Sequence, residues 1–285
     1  MLKRIITSIV AVIIFIPILV FSNTWALPVA MSIACVIGCY EMISCVGQKK
    51  IICLAIPIYL IAAAFPNIMR FTYLSFADSS EALFATLKLA LGVFLVLALY
   101  VFGVAVFANK TLPITDAGLI YASVTYIVAS FSAIVYIHDF VRYGNYIYLL
   151  VFICAWMTDI FAYFTGRFLG KHKLIPLVSP KKTVEGAIGG IVFCVIAVVV
   201  FGLILDNFFI GEGTGNYVVL AISAIFMSVV SQTGDLIMSV IKRHYGIKDY
   251  GKLFPGHGGI LDRFDSVMAV SVILAFICTY FNMFA

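Results

Sequence analysis

The sequence predicts an all-α, polytopic integral membrane protein of about nine transmembrane helices with a cytoplasmic N-terminus. Three observations predict it. Apolar side chains make up 64% of the 285 residues and charged ones only 11%, where a soluble domain carries roughly a quarter charged residues. Mean hydropathy is +1.16. Apolar runs near the roughly 20 residues that a helical crossing needs recur along the whole chain, separated by polar, Pro or Gly breaks. A single membrane domain, 1–285, is expected, with its chemistry built from helix ends and short loops. Each ionisable residue is then informative, because burying one in lipid costs on the order of 2.5–3.5 kcal/mol.

In chain order the runs give spans at about 5–21, 26–47, 51–65, 82–107, 114–137, 146–166, 184–205, 217–241 and 262–284. Met1-Leu2-Lys3-Arg4 and the apolar stretch to Phe21 imitate a signal peptide, but a first membrane helix gives the same pattern and agrees with the charge distribution. The third run is the weakest: 15 residues reach about 22 Å, short of a roughly 30 Å core, which suggests a re-entrant or wrongly bounded segment. Pro17 and Pro57 fall inside spans, which neighbouring helices make tolerable. Residues 1–140 read as scaffold helices. Residues 146–284 read as catalytic helices carrying two cytoplasmic loops, 167–183 and 242–261.

With the N-terminus inside, 15 of the 18 Lys and Arg residues fall on the cytoplasmic side, Arg70 and Arg142 fall outside, and Lys88 lies within a span. That asymmetry sets the orientation and places the C-terminus outside. A basic cytoplasmic surface attracts anionic headgroups and polyphosphates, although setting topology is the plainer role for the same residues. Glu41 near the inner end of its helix and Lys88 near the outer end of its own are expected not to meet, with Lys88 snorkelling to the interface. The seven cysteines lie in apolar runs without a C-x-x-C pair, as small buried hydrophobes rather than a disulfide framework or thiolate metal site.

The densest polar information runs from Ser231-Gln232-Thr233-Gly234-Asp235 through Lys242-Arg243 and Lys248-Asp249 to Phe254-Pro255-Gly256-His257-Gly258-Gly259-Ile260-Leu261-Asp262-Arg263-Phe264-Asp265. Asp262 and Asp265 are three apart at the start of the last helix and share a face. As hard oxygen ligands they suit Mg²⁺ bridging a substrate's phosphates. Asp235 lies seven residues, about 10 Å of helix, below Lys242, and the loop returning to Asp262 is expected to gather the three acids at that depth. Three carboxylates there would repel and take up protons unless a cation neutralised them. Gly258 and Gly259 let backbone N–H groups approach phosphate oxygens, and Lys242, Arg243, Lys248, Lys252 and Arg263 surround the region with positive charge. Helix capping would explain either Asp262 or Asp265 alone, but not Asp235, the glycines and five cations together.

The order Ser239-x-Ile241-Lys242-Arg243, Lys248-Asp249-x-Gly251, Phe254-Pro255-x-His257-Gly258-Gly259-Ile260-x-Asp262-Arg263-Phe264-Asp265 resembles the long, specific signature of phosphatidate cytidylyltransferases, also called CDP-diglyceride synthetases. A second block, Asp159-x-x-Ala162-Tyr163-x-x-Gly166-Arg167 with Ser179-Pro180-Lys181-Lys182-Thr183-Val184-Glu185-Gly186, is similar to another stretch of that family. The resemblance covers about residues 156–265; the first five spans match only in character. It implies transfer of CMP from CTP to phosphatidate, giving CDP-diacylglycerol and pyrophosphate, at a metal centre surrounded by Asp235, Asp262 and Asp265. The implied partners are CTP, phosphatidate and the bilayer, with no nucleic acid. The implied location is the cytoplasmic (inner) cell membrane, with the active site facing the cytoplasm. A second cation and a homodimer stay open.

Chemically, a lipid phosphate oxygen must approach the α-phosphorus of CTP in line with departing pyrophosphate, so positioning and electrostatics dominate. His257 either relays a proton or holds a phosphate. Ser179, Lys181, Lys182 and Thr183 precede a helix expected to start near Val184, an anion site for either substrate, with helix-start chemistry the alternative for Thr183 and Glu185. Gly186, Gly189 and Gly190 suit close helix packing. Asp159 is either a site residue or the partner of Arg167. Two other readings share these features. A cation-coupled transporter needs intramembrane acids but usually shows repeats and broken helices, and a CTP-dependent lipid kinase would leave no CMP on its product.

Overall fold

In an apolar solvent every backbone N–H and C=O must be satisfied within its own segment, and helices do this without a partner. The computed structural model describes residues 2–48, 51–108, 110–211 and 213–284. Lys49 and Lys50, counted above among the cytoplasmic charges, lie outside the described residues, as do the side chains of Lys3 and Arg4. The helices are α1 Leu2–Val20, α2 Ala26–Cys45, α3 Ile52–Ser75, α4 Ser79–Phe107, α5 Ile114–Phe140, α6 Gly144–Ile147, α7 Leu149–Leu169, α8 Val184–Leu205, α9 Tyr217–His244 and α10 Leu261–Tyr280. A π-helical turn, Asp206–Ile210, extends α8, and a two-stranded antiparallel hairpin, β1 Lys173–Ile175 and β2 Ser179–Thr183, sits between α7 and α8.

Among the described residues, seven helical segments are long and apolar enough to cross a membrane: α2, α3, α4, α5, α6 with α7, α8 with its π turn, and α9. The polytopic all-α class is thus borne out, and α1 and α10 occupy the positions of the first and last expected spans. The third span needs correction. Instead of ending at residue 65, α3 runs 24 residues to Ser75, about 36 Å and sufficient to cross. The polar residues that made it look short are satisfied internally. Asn67 Nδ2 donates to Ser32 Oγ at 2.7 Å and to Ala63 O at 2.9 Å.

The chain divides into two compact units, residues 1–140 with 245–263, and residues 141–244 with 264–285. In the first, α2, α3 and α5 pack mutually and α4 packs on α3 and α5. Arg70, only 3% exposed, locks this unit at one end. Its guanidinium forks onto Asp139, with Nε to Oδ2 at 2.9 Å and Nη2 to Oδ1 at 2.6 Å. It also donates to the carbonyls of Ser22 and Thr24, tying α3, α5 and the segment entering α2. A bidentate pair with its remaining donors satisfied is the arrangement that offsets desolvation of two buried charges.

In the second unit, α7, α8 and α9 contact one another. Helices in lipid gain little from apolar burial against each other and rely on close packing of small residues. The expected role of the α8 glycines is borne out here: a Cβ at Gly190 would lie 2.9 Å from Thr158 O, and one at Gly186 2.6 Å from Ala162 O, both on α7. Thr158 Oγ1 donates to Ser228 Oγ at 2.9 Å, joining α7 to α9.

Replacing Arg70 by Met should take the guanidinium from buried Asp139, leaving it only the His138 ring at 2.6 Å, and destabilise the protein by up to about 3–5 kcal/mol. Thermal unfolding in detergent checks this, and Arg70→Met/Asp139→Leu should recover a large part of the loss.

Candidate active site

The site builds first in the second unit, on α9, α10 and β2. Asp235, on α9, is half-buried and forms an ion pair with Lys182 at 2.6 Å. Its carboxylate and that of Asp265 act on each other electrostatically, and Lys242 acts on both acids. Asp265 is 8% exposed and Lys242 9% exposed. Asp159, on α7, accepts from Ser266 Oγ at 3.5 Å and adds its charge to the field at Asp265. Arg167 turns elsewhere, donating to Tyr163 Oη at 2.9 Å, so Asp159 lies beside the acids and not against Arg167. Gly234 allows α9 and α10 to close here, because a Cβ there would meet the Ala269 methyl and, at 3.0 Å, Asp265 O.

The hairpin divides the two lysines of the 179–183 loop. Successive strand residues face opposite sides, so Lys181 on β2 is exposed while Lys182 reaches Asp235. Ser179 pairs with Ile175 at the other end of the ladder. α8 starts at Val184 as expected, and Thr183 caps it, its Oγ1 accepting from Gly186 N at 3.1 Å. Glu185 accepts from the backbone N–H groups of Lys171 and His172. Both residues are therefore engaged in helix-start and hairpin geometry. Arg243 is exposed at the end of α9.

The first unit holds the signature loop. Tyr245 Oη donates to Asp116 at 2.9 Å, and burial together with that carboxylate holds the phenol well above its ordinary pKa. Phe254 to Gly258 form a tight turn, with Phe254 N donating to Gly258 O at 2.9 Å and His257 N to Phe254 O at 2.8 Å. Gly258 has φ +86°, and a Cβ there would lie 2.7 Å from Asp262 Oδ2. Asp262 Oδ2 accepts from Tyr250 N at 2.7 Å and Gly259 N at 3.0 Å. Arg263 Nε donates to His257 O at 2.7 Å. The loop encloses a cavity of about 660 Å³ lined by Lys248, Asp249, Lys252, His257, Gly258 and Arg263, among others. Three full cations against one carboxylate make it suited to an anion, and its size falls in the roughly 300–1,000 Å³ range of small-molecule sites.

A model of the Cytidylyltransferase family matches residues 2–281. The chain belongs to that family. It is 38% identical over 195 residues to phosphatidate cytidylyltransferase of Bacillus subtilis (strain 168), covering 68% of this chain and 70% of the relative. It is 34% identical over 271 residues to phosphatidate cytidylyltransferase of Staphylococcus haemolyticus (strain JCSC1435), covering 95% and 96%. The resemblance read from the 239–265 signature is borne out, and it extends to the first five spans.

A cytidylyltransferase must hold a nucleoside triphosphate, and the donors in this family member can be tested for a divalent ion. Among the described residues, no group of three or more His, Cys, Asp or Glu side chains stands ready to hold a metal. The Asp235 and Asp265 carboxylates nonetheless fit one chemically: two hard oxygen donors brought within reach of each other in an apolar bundle need positive charge. Sequence reasoning missed two participants, the Lys182 pairing with Asp235 and Glu41 of α2. Glu41 accepts from Ile260 N at 3.0 Å and Leu261 N at 2.9 Å, while Lys88 stays exposed on α4. The signal for Glu41 was its cost: an acid inside an apolar span needs a partner.

Thr183→Ala should cost about 1 kcal/mol of stability through loss of the α8 cap while leaving substrate KM values unchanged. Thermal unfolding beside steady-state kinetics checks both halves.

Proposed function

We propose that this cytidylyltransferase moves CMP from CTP to phosphatidate, releasing pyrophosphate and forming CDP-diacylglycerol for phospholipid synthesis. The basic, glycine-lined cavity of the signature loop is the observation that carries the reading, since its cations and turn backbone match a polyphosphate rather than a neutral ligand. An oxygen of the lipid phosphate bonds to the α-phosphorus of CTP as the bond to the β-phosphate oxygen breaks, and the electron pair leaves with pyrophosphate. Phosphate oxygen is already nucleophilic, so the protein's work is to align and to stabilise charge.

Lys248, Lys252 and Arg263 attract the polyphosphate, and His257 at the cavity wall relays a proton or holds a phosphate. Lys181 and Arg243, both exposed, serve anionic groups arriving from water or from the headgroup layer. Lys182 and Lys242 set the charge around Asp235 and Asp265. Asp235 and Asp265 are the residues of the second unit that would hold Mg²⁺, which would supply neutralisation of phosphate charge; Asp262, three residues before Asp265 on α10, is the third acid that the signature offers for it. The bilayer is the medium, and the charge asymmetry supports a cytoplasmic N-terminus with both basic loops on the cytoplasmic side of the cell membrane.

Purified protein given phosphatidate, Mg²⁺ and CTP labelled at the α-phosphate should yield labelled lipid. Label confined to CDP in water, with an unlabelled phosphorylated lipid, would instead favour a CTP-dependent lipid kinase. Asp235→Asn, Asp262→Asn and Asp265→Asn should each lower turnover by 100-fold or more, on the order expected for loss of an electrostatic catalytic group, while protein yield holds. Chelation should abolish activity, and near-normal turnover in the Asp262 and Asp265 variants would return both to helix-start roles. Single cysteines placed at Lys173 and Leu253 in a cysteine-free background should both label from the cytoplasmic side; opposite sides would overturn the orientation.

A further inference from the structure

We infer that Glu41 is a positioning residue for the signature loop, an acid on a distant helix that caps the start of α10 and thereby fixes Asp262 and the glycine turn. The sequence provides no cap of its own there. Ile260 precedes Leu261, the first residue of α10, and an isoleucine side chain cannot accept from the free N–H groups that open every helix. Glu41 supplies the acceptor across more than 200 residues of chain, taking Ile260 N on Oε1 and Leu261 N on Oε2. Both oxygens are used, the carboxylate is buried at 3% exposure, and its negative charge lies at the positive end of the helix dipole.

The loop is shaped around this carboxylate. A Cβ on Gly259 would collide with Glu41, whose atoms are its three nearest neighbours, and a Cβ on Gly251 would collide with it too. Glycine is therefore required at both positions for a reason separate from phosphate approach. The consequence passes to the site in one step. Gly259 N, beside the two capped amides, donates to Asp262 Oδ2, which also takes Tyr250 N. Releasing Glu41 frees the first turn of α10, the residue proposed to hold Mg²⁺, and the Gly258 wall of the basic cavity together.

The test compares Glu41→Ala, Glu41→Gln and Gly259→Ala, alone and combined, by amide hydrogen exchange in detergent. Loss of two charge-assisted hydrogen bonds should speed exchange at Gly259, Ile260 and Leu261 by at least about tenfold, while α3 and α5 keep their protection. Glu41→Gln, which retains one acceptor oxygen, should fall between wild type and Glu41→Ala; it also serves if Glu41→Ala fails to fold. Gly259→Ala should loosen the loop in the wild-type background but add less than about twofold to Glu41→Ala, because the methyl then enters vacated space. Unchanged loop exchange, uniform loosening of the first unit, or fully additive effects would overturn the inference. A kinetic arm rests on the CMP-transfer reading: KM for CTP should rise about tenfold with KM for phosphatidate unchanged, the scale expected of a lost cap. Absence of CDP-lipid formation by the wild-type protein would remove that reading alone, leaving the exchange and the Gly259 coupling to decide the role of Glu41.

Discussion

A charge or hydrogen-bonding group placed among apolar helices has no water to fall back on, and the architecture of this protein follows from how each such group is satisfied. Arg70 shows the scaffold solution. Its guanidinium is surrounded by Asp139 and two carbonyls, so an otherwise prohibitive cation becomes a clamp between helices. Glu41 uses the same physics on backbone donors, satisfying amides that a helix start leaves open. Lys182 and Asp235 apply it in the second unit.

The two uses differ in what remains unbalanced. Around Arg70 one guanidinium meets one carboxylate, with the His138 ring beside both. Around Asp235 and Asp265 the local charges do not close so simply, because two acids act on each other while Asp159, Lys182 and Lys242 add their own charges. Holding like charges together disfavours the folded state unless something is gained elsewhere. Under the proposed function, nucleotidyl transfer would supply that gain, because the arrangement that is awkward by itself is complementary to phosphates and cations.

Glycine is the other means by which the chain brings groups together. On α8 it lets α7 approach, on α9 it lets α10 approach beside the acids, and in the signature loop it makes room for both the Glu41 carboxylate and the turn at Gly258. Each absence of a side chain is thus spent on a specific neighbour. Two of the loop glycines answer to Glu41, so the motif carries packing requirements of its own.

Hydropathy by itself determined the polytopic helical class and the positions of nearly every helix, because lipid admits so few alternatives to an apolar helix. The signature residues determined the family. Tertiary structure alone decided that α3 continues past Pro66, since only the partners of Asn67 and Arg70 make those polar residues acceptable inside a span. It also decided that Lys182 turns to Asp235 while Lys181 does not, which depends on the pleat of a hairpin that no apolar periodicity announces. Glu41 is the clearest case. Its type and depth in the sequence demanded a partner, but which partner was a matter of three-dimensional proximity between residue 41 and residues 260 and 261, and a one-dimensional pattern carries no information about contacts of that span.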